Sequence, residues 1–430
     1  MKHFFAFEER GTTYKRETLA GITTFLSMAY ILVVNPIILN QAGMDQGAVF
    51  TATALSAIIG SLLIGLLANY PIGIAPSMGL NTFFTFSVCI GMGIPWQTAL
   101  TGVFISGVLF VILSLLKIRE LIINVIPEDL KHAIAGGIGF FVAFIGLKNA
   151  ELVVANPDTF IAIGDLRSPT VLLAVFGFVV TIIMMMRGIG GAIFYGMAIA
   201  AAVGMVVGLI EVPDRIIGAI PSLEPTFGVV FSHLDSIFTP DMLAVIFTFL
   251  FVAFFDTAGS LIAIASQAGL MKENKIPNAG RALLADSSAA TVGAVLGTST
   301  TAAMVESSAG IAAGGRTGFT SIIIAALFAV SLFFSPLLSV ITSAVTAPAL
   351  IIVGALMASG IKNINWHRPE VAIPAFVTII MMPLTSSVAS GLALGFILYP
   401  VTMIAKGRGK ELHPLLYVLF IAFVAYFMYL

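Results

Sequence analysis

The chain has 430 residues, of which 59% are apolar and only 10% charged, with a mean hydropathy of +1.08 and a formal net charge of -1. A soluble domain keeps about a quarter of its residues charged to face water, so this composition excludes an ordinary soluble protein, and the near-zero net charge offers no footprint for nucleic acid. The one cysteine, Cys89, lies in an apolar stretch, has no partner for an intrachain disulfide, and reads as a packed small side chain.

In chain order, Lys2, Arg10, Lys15 and Arg16 precede an apolar run from Leu19 to Leu39 that is long enough to span a bilayer. A cleaved signal would carry a shorter apolar core ending at a small-residue site, so the run is expected to be a permanent first span. Apolar segments near 18–39, 48–69, 76–92, 96–116, 130–149, 168–186 and 189–210 make one set of seven, and segments near 240–266, 280–296, 300–313, 317–335, 337–359, 370–383 and 386–404 make a second. With the N-terminus placed in the cytoplasm, seventeen of the twenty lysines and arginines fall on the cytoplasmic side, and only Lys148, Arg167 and Arg215 fall outside, as the positive-inside rule requires. Residues 412–430 are apolar too, and three readings stay open for them: a fifteenth crossing, an interfacial helix or a packed tail.

An odd number of spans in each half leaves the second half inverted relative to the first. Gln41-Ala42-Gly43 recurs as Gln267-Ala268-Gly269 at an offset of 226 residues, and the same offset sets Met304 on Met78 and Ser307 on Asn81, inside the third span of each half. Both of those spans are poor continuous helix: Pro71 to Gly79 is rich in glycine and proline, and Gly297 to Ala303 in hydroxyl residues. Paired, interrupted segments in two inverted halves predict a transporter site at the midplane, with half-helix N-termini aimed at the ligand.

Of twenty-one acidic residues, three lie within these spans beyond their first two residues, Asp256, Asp286 and Glu306, and no lysine or arginine lies deep enough to neutralise them. A carboxylate there costs roughly 3 kcal/mol on insertion scales, so each reads first as a ligand contact or proton carrier. Asp256 sits midway along the eighth span beside Phe255 and Thr257; the structural alternative is a capped helix break or a bond to Thr257. Glu306 follows the break in the tenth span, where a half-helix would begin. Asp286 lies near Arg281, Ser287 and Ser288, and structural pairing is the expected role. Asn81 offers both a donor and an acceptor to a heterocycle, although buried amides also serve helix packing. Phe83, Phe84, Phe254 and Phe255 are candidates to stack on a planar ring, with packing the commoner role of phenylalanine. There is no P-loop sequence, the five histidines lack metal-ligand spacing, and the glycine groups do not complete a dinucleotide fingerprint.

Four stretches taken together, Gly21 to Pro36, Pro76 to Phe84, Phe255-Asp256-Thr257 and Gly297 to Gly310, resemble the nucleobase-cation symporter-2 transporters, and within them the AzgA-like purine permeases, over nearly the whole chain. The resemblance implies an all-α polytopic membrane protein of fourteen transmembrane spans in two inverted seven-span repeats, with short antiparallel strands in spans three and ten, as in uracil permease. It implies a core domain from residues 18–117 and 240–335, a gate domain from 128–210 and 337–404, and leaves 405–430 as an apolar tail. The activity it implies is proton-coupled uptake of a purine base, hypoxanthine or guanine ahead of adenine, across a bacterial inner membrane. Such a carrier is not an enzyme, and needs no cofactor beyond the proton gradient. Acids of spans eight and ten hold the base in that family and map onto Asp256 and Glu306; a glutamate rather than an amide at the latter fits the purine branch. The expected substrate site is then Glu306, Asp256, Asn81, Ser307, Phe255 and Thr257, with Asp256 and Glu306 carrying the proton.

The chemistry is compatible. A 6-oxopurine offers an N1–H, joined in guanine by a 2-amino group, to a carboxylate, and its O6 and ring nitrogens can accept from half-helix N–H groups, Asn81 or Ser307. The expected partners are a purine base, protons and the lipid bilayer, not nucleic acid, with a homodimer as the candidate assembly. The alternatives are a carrier of the same fold for uracil, xanthine or an inorganic anion, and further off an intramembrane enzyme or a channel. An anion carrier calls for a buried cation, which these spans lack.

Overall fold

In hydrocarbon a chain must satisfy its own backbone, so an uninterrupted apolar run folds as helix and an interrupted one must find another partner. The computed structural model follows this rule; it describes residues 3–116, 127–213, 215–267 and 278–429, without the side chains of 255, 256, 258–267, 339, 389, 426 and 429. Helix α1 (Tyr14–Met28) is capped by Thr13, whose side chain accepts from the Arg16 N–H, and is separated by a break at Ala29 and Tyr30 from α2 (Ile31–Asn40). Helix α3 (Gln46–Leu67), capped by Asp45, leads into strand β1 (Ile74–Pro76) and a short α4 (Met78–Thr82) that widens into a π-helix over Phe83–Gly91. Helix α5 (Trp96–Leu115) completes the first four spans.

Helix α6 (Glu128–Asn149), a hairpin of β2 (Val153–Asn156) and β3 (Phe160–Ile163), α7 (Pro169–Met186) and α8 (Ala192–Val206) follow. The second half repeats the order: α9 (Pro240–Gln267), α10 (Ala279–Leu296), β4 (Thr301–Ala303), α11 (Ser307–Ala312), α12 (Gly318–Ser331), α13 (Ser343–Ala358), α14 (Pro369–Leu384) and α15 (Val388–Ala405). Among the described residues, seven segments are long and apolar enough to cross a membrane unaided, and six further apolar helices are shorter. The fold is thus mostly helical with two small strand pairs, matching the fourteen expected spans in order.

Packing groups the helices in two bundles. In one, α3 lies against α10 and α12, α5 against α9 and α10, and α1 against α11 and α12; in the other, α6 lies against α13 and α14, and α7 against α8 and α13. The second bundle is drawn tight by Gly139 and Gly354: a Cβ on Gly139 would meet the Gly354 carbonyl oxygen at 2.6 Å, and one on Gly354 would collide with the Gly139 carbonyl. Small residues allow such backbone contact where lipid supplies no hydrophobic drive between helices.

The two broken spans satisfy each other. β1 and β4 pair antiparallel, Ile74 with Ala303, Ala75 with Ala302 and Pro76 with Thr301, and the pairing extends through Ser77 N–H to Thr300 O at 3.0 Å and Met304 N–H to Gly73 O at 2.9 Å. The 226-residue offset carries Ala75 onto Thr301 and Pro76 onto Ala302, so the observed register sets the pseudo-two-fold axis between these two rungs. Gly297, at φ 102°, makes the turn from α10 into β4, where a Cβ would collide with Thr226.

The expectation of three acids inside the spans is corrected by a fourth. Glu17 lies in α1, one residue before the predicted start of the first span, and is fully buried. Its carboxylate accepts from Thr12 Oγ1 at 2.7 Å, Arg316 N–H at 3.0 Å, Thr317 N–H at 3.2 Å and Thr320 Oγ1 at 2.6 Å. Three donors at the start of α12, joined by Thr12 ahead of α1, replace the water this carboxylate would otherwise hold.

Residues 414–429 form α16, which folds back on α15. Phe423 is buried, stacked on Phe396 at 5.4 Å and edge-on to Phe247 of α9 at 5.5 Å, while Val418, Ile421 and Met428 are exposed. Before it, Arg408 bonds Glu370 at 3.0 Å and Glu411 at 2.6 Å, and its guanidinium holds the Glu411 carboxyl below the usual range. Replacing Glu17 by alanine leaves buried N–H and hydroxyl donors unpaired; we expect a loss of on the order of 3 kcal/mol, read as a lower melting midpoint of the detergent-purified protein. An unchanged midpoint would show that the carboxylate does not hold α12 to α1.

Candidate functional site

The strand pair delivers two helix starts to the middle of the molecule. On one side Ser77 precedes α4, and the Asn81 N–H closes the first turn on Ser77 O at 2.9 Å; on the other, Glu306 precedes α11, and the Ser307 N–H bonds Met304 O at 3.1 Å. Asn81 and Ser307, related by the repeat offset, are both fully buried. Ser307 serves first as a strut: its Oγ accepts from the Gly73 N–H at 3.0 Å, tying α11 to the segment before β1. Its own hydroxyl proton is left to donate.

Asn81 belongs to a buried chain of polar side chains. Its Nδ2 donates to Asn35 Oδ1, while Asn35 Nδ2 donates to Thr53 Oγ1 at 2.8 Å and to Thr298 Oγ1 at 2.9 Å. The network joins α2, α3, α4 and the turn before β4. Asn81 Oδ1 is buried without a hydrogen-bond partner among the described residues.

Glu306, half-buried at the head of α11, accepts from the Tyr30 hydroxyl at 2.6 Å. Tyr30 is fully buried at the break between α1 and α2. Span one therefore reaches both broken helices, through Tyr30 to Glu306 and through Asn35 to Asn81. Neither residue stood out in the sequence as a candidate, although each carried a signal. Tyrosine favours the membrane interface, yet Tyr30 lies deep in an apolar run, and Asn35 puts an amide before Pro36 inside the same run.

Asp256 falls on α9, which packs against β4, α4 and α11; the side chains of Asp256 and Phe255 lie outside the described residues. Thr257 is fully buried, and its hydroxyl donates to Asp286 Oδ2 at 2.7 Å. Asp286, expected to pair with neighbours near Arg281, thus has a partner on the adjacent helix, next in sequence to Asp256. Phe83 and Phe84 pack on Phe249 at 5.0 and 6.4 Å between ring centres, and Phe254 on Phe110 at 6.2 Å, which places these three rings in the helix interface. The structure thus brings Asn81, Ser307 and Glu306 to the strand pair and adds Tyr30 and Asn35 behind them.

Broken helices from two inverted halves, meeting head to head with buried polar side chains at their starts, define a membrane carrier. A family model described as "Permease family", that of the Xan_ur_permease group, matches residues 15–394, and the chain belongs to this family, the nucleobase-cation symporter-2 permeases. Its members are transporters, not enzymes. The chain is 58% identical to guanine/hypoxanthine permease PbuG of Bacillus subtilis over the full length of both, and 47% identical to guanine/hypoxanthine permease PbuO of the same organism, covering 97% of this chain and 98% of the relative. Among solved structures, the transmembrane domain of a cyanobacterial bicarbonate transporter, BicA, superposes with a TM-score of 0.65 at 17% identity, covering 89% of this chain and 97% of that one. At that identity the likeness is one of fold.

A hydrogen bond to a carboxylate contributes about 1.5–3 kcal/mol. Tyr30→Phe, which removes this donor and little else, is expected to lower the unfolding free energy by about that amount. A denaturant or thermal melt identical to wild type would show that Glu306 does not depend on Tyr30.

Proposed function

We propose that this permease carries a purine nucleobase, a 6-oxopurine ahead of adenine, into the cell by proton symport with alternating access. The observation that carries the reading is Glu306: a half-buried carboxylate at the head of the second broken span, held by Tyr30 and placed where a base can meet it. Full-length identity to two permeases named for guanine and hypoxanthine supports the choice of ligand. N–H groups of the base donate to the carboxylate, the spare Ser307 proton donates to O6 or a ring nitrogen, and Asn81 closes the site from the other half.

Coupling follows if one acid, Asp256 or Glu306, takes up a proton before the loaded carrier reorients, because a bare carboxylate crossing apolar surroundings is costly. In this scheme the bundle of residues 18–117 and 240–335 moves as the core against the gate of 128–210 and 337–404. The proton gradient is the energy source, and Phe255 and Thr257, the sequence neighbours of Asp256, are proposed to take part in binding the base. The placement of lysine and arginine supports an N-terminus in the cytoplasm and residence in a bacterial inner membrane. An inorganic-anion carrier of this fold is disfavoured, since the lysines and arginines that the fourteen spans include, Lys131, Lys148 and Arg281, lie at the span ends and not at mid-depth where an anion would sit.

The test is uptake of labelled guanine, hypoxanthine and adenine into proteoliposomes under an imposed proton gradient, with an uncoupler and without sodium as controls. Glu306→Gln and Asp256→Asn are each expected to reduce accumulation at least tenfold, equivalent to about 1.4 kcal/mol or more. Wild-type accumulation by both variants, or accumulation indifferent to the uncoupler, would overturn the mechanism.

A further inference from the structure

We propose that this permease holds a phospholipid at one membrane-surface end of its second bundle, in a cavity suited to a headgroup that carries both a phosphate and an ammonium. The site lies away from the broken spans and does not depend on what the permease carries.

The cavity, of about 490 Å³, lies where α6, α14 and α16 begin and α15 ends, and its polar lining is Asp129, Arg368, Tyr399, Arg408, Glu411 and His413. Some of these groups are already satisfied. Arg408 bonds Glu370 Oε1 at 3.0 Å and the two Glu411 oxygens at 2.8 and 2.6 Å, so one arginine sits between two glutamates and the three together are net negative. Others have capacity to spare. Arg368 is exposed, and among the described residues its guanidinium makes neither a hydrogen bond nor an ion pair. Its charge acts at a distance, adding to Arg408 in holding the Glu411 carboxyl below the usual range. His413 Nδ1 accepts from the Leu415 N–H at 3.2 Å, which puts the proton of the neutral ring on Nε2 as a spare donor. The hydroxyl of the buried Tyr399 has no hydrogen-bond partner among the described residues either. Asp129 gives Oδ1 to the Asn365 N–H at 2.7 Å and keeps Oδ2.

What is left over selects the ligand. Arg368, His413 and Tyr399 offer donors around one cavity, the pattern that takes a phosphate, and a guanidinium can bond two of its oxygens at once. A ligand that is only an anion would also face Asp129 and the net-negative group around Arg408. One that is only a cation would leave Arg368 unmatched. A zwitterion answers both, with its phosphate on Arg368 and its ammonium donating to Asp129. The remaining lining includes Met403, Leu412 and Leu416, all buried, while Val401, Ile404 and Val418, next to them in sequence, are exposed. Helix ends lie at headgroup level, and this apolar surface suits acyl chains that a soluble zwitterion does not have. The headgroup joins α6 through Asp129, α14 through Arg368 and the start of α16 through His413, and so fastens the C-terminal helix to the second bundle.

The experiment is lipid binding to the detergent-purified full chain, titrated by native mass spectrometry with phosphatidylethanolamine, phosphatidylcholine and phosphatidylglycerol of identical acyl chains, and with free phosphoethanolamine as competitor. Phosphatidylethanolamine carries a phosphate and a donating ammonium; phosphatidylcholine has no N–H on its cation, and phosphatidylglycerol has no cation. The first is expected to bind at least tenfold more tightly than either of the others, a difference of about 1.4 kcal/mol. Arg368→Gln, at an exposed position where folding is not at stake, is expected to weaken phosphatidylethanolamine at least tenfold. Asp129→Asn keeps an oxygen for the Asn365 N–H and is expected to erase the advantage of phosphatidylethanolamine over phosphatidylcholine. A general affinity for lipid would leave both variants like wild type. Equal binding of the three lipids, a preference for phosphatidylglycerol, or an Arg368→Gln protein that binds phosphatidylethanolamine as tightly as wild type overturns the proposal. Phosphoethanolamine that displaces the lipid at equal concentration overturns the assignment to a lipid.

Discussion

The structure depends on one short piece of backbone pairing. A membrane interior offers no water to a broken helix, so a span that stops being helical needs another chain segment to take its N–H and C=O groups. Here each broken span is the other's partner. The rungs from Ile74–Ala303 to Pro76–Thr301 bind the two halves at their pseudo-axis, and everything at the centre is positioned by them: the start of α4, the start of α11, and hence Asn81, Ser307 and Glu306. Ser307 reinforces the arrangement by accepting from Gly73 across the axis.

Span one is the second organising element. Along a single segment it supplies Glu17 to the start of α12, Tyr30 to Glu306 and Asn35 to Asn81. These three side chains do different work. Glu17 is a carboxylate saturated by four donors and acts as a structural cap, whereas Tyr30 and Asn35 each orient a group at the candidate site. Burial alone does not separate the two roles, since all three are fully buried. The separation comes from what each partner has left over: nothing is required of the donors around Glu17, while Asn81 is left with an unanswered acceptor.

The likeness to a bicarbonate transporter at 17% identity shows how little the fold says about cargo. The same inverted architecture with a cation at its centre would suit an anion. In this permease the centre carries a carboxyl and amides instead, groups that recognise donor and acceptor patterns on a neutral ring.

Much of the architecture was legible in the sequence, because it is carried by local patterns. Hydropathy marked the spans, and the glycine, proline and hydroxyl content of Pro71–Gly79 and Gly297–Ala303 marked the two breaks. The 226-residue offset matched the two breaks to each other, the family resemblance supplied their pairing as strands, and the isolated acid of the tenth span marked Glu306. What tertiary structure alone decided were the hydrogen-bond partners. Tyr30 and Glu306 stand 276 residues apart, Asn35 and Thr298 263, and Glu17 and Thr320 303, and no local periodicity encodes such a meeting. For the same reason the sequence left Asn81 as donor and acceptor alike, set Asp286 among neighbours near Arg281 instead of with Thr257, and missed Glu17 by one residue. An apolar pattern determines that a segment is buried; which proton each buried polar group holds is set by the atoms that other segments bring against it.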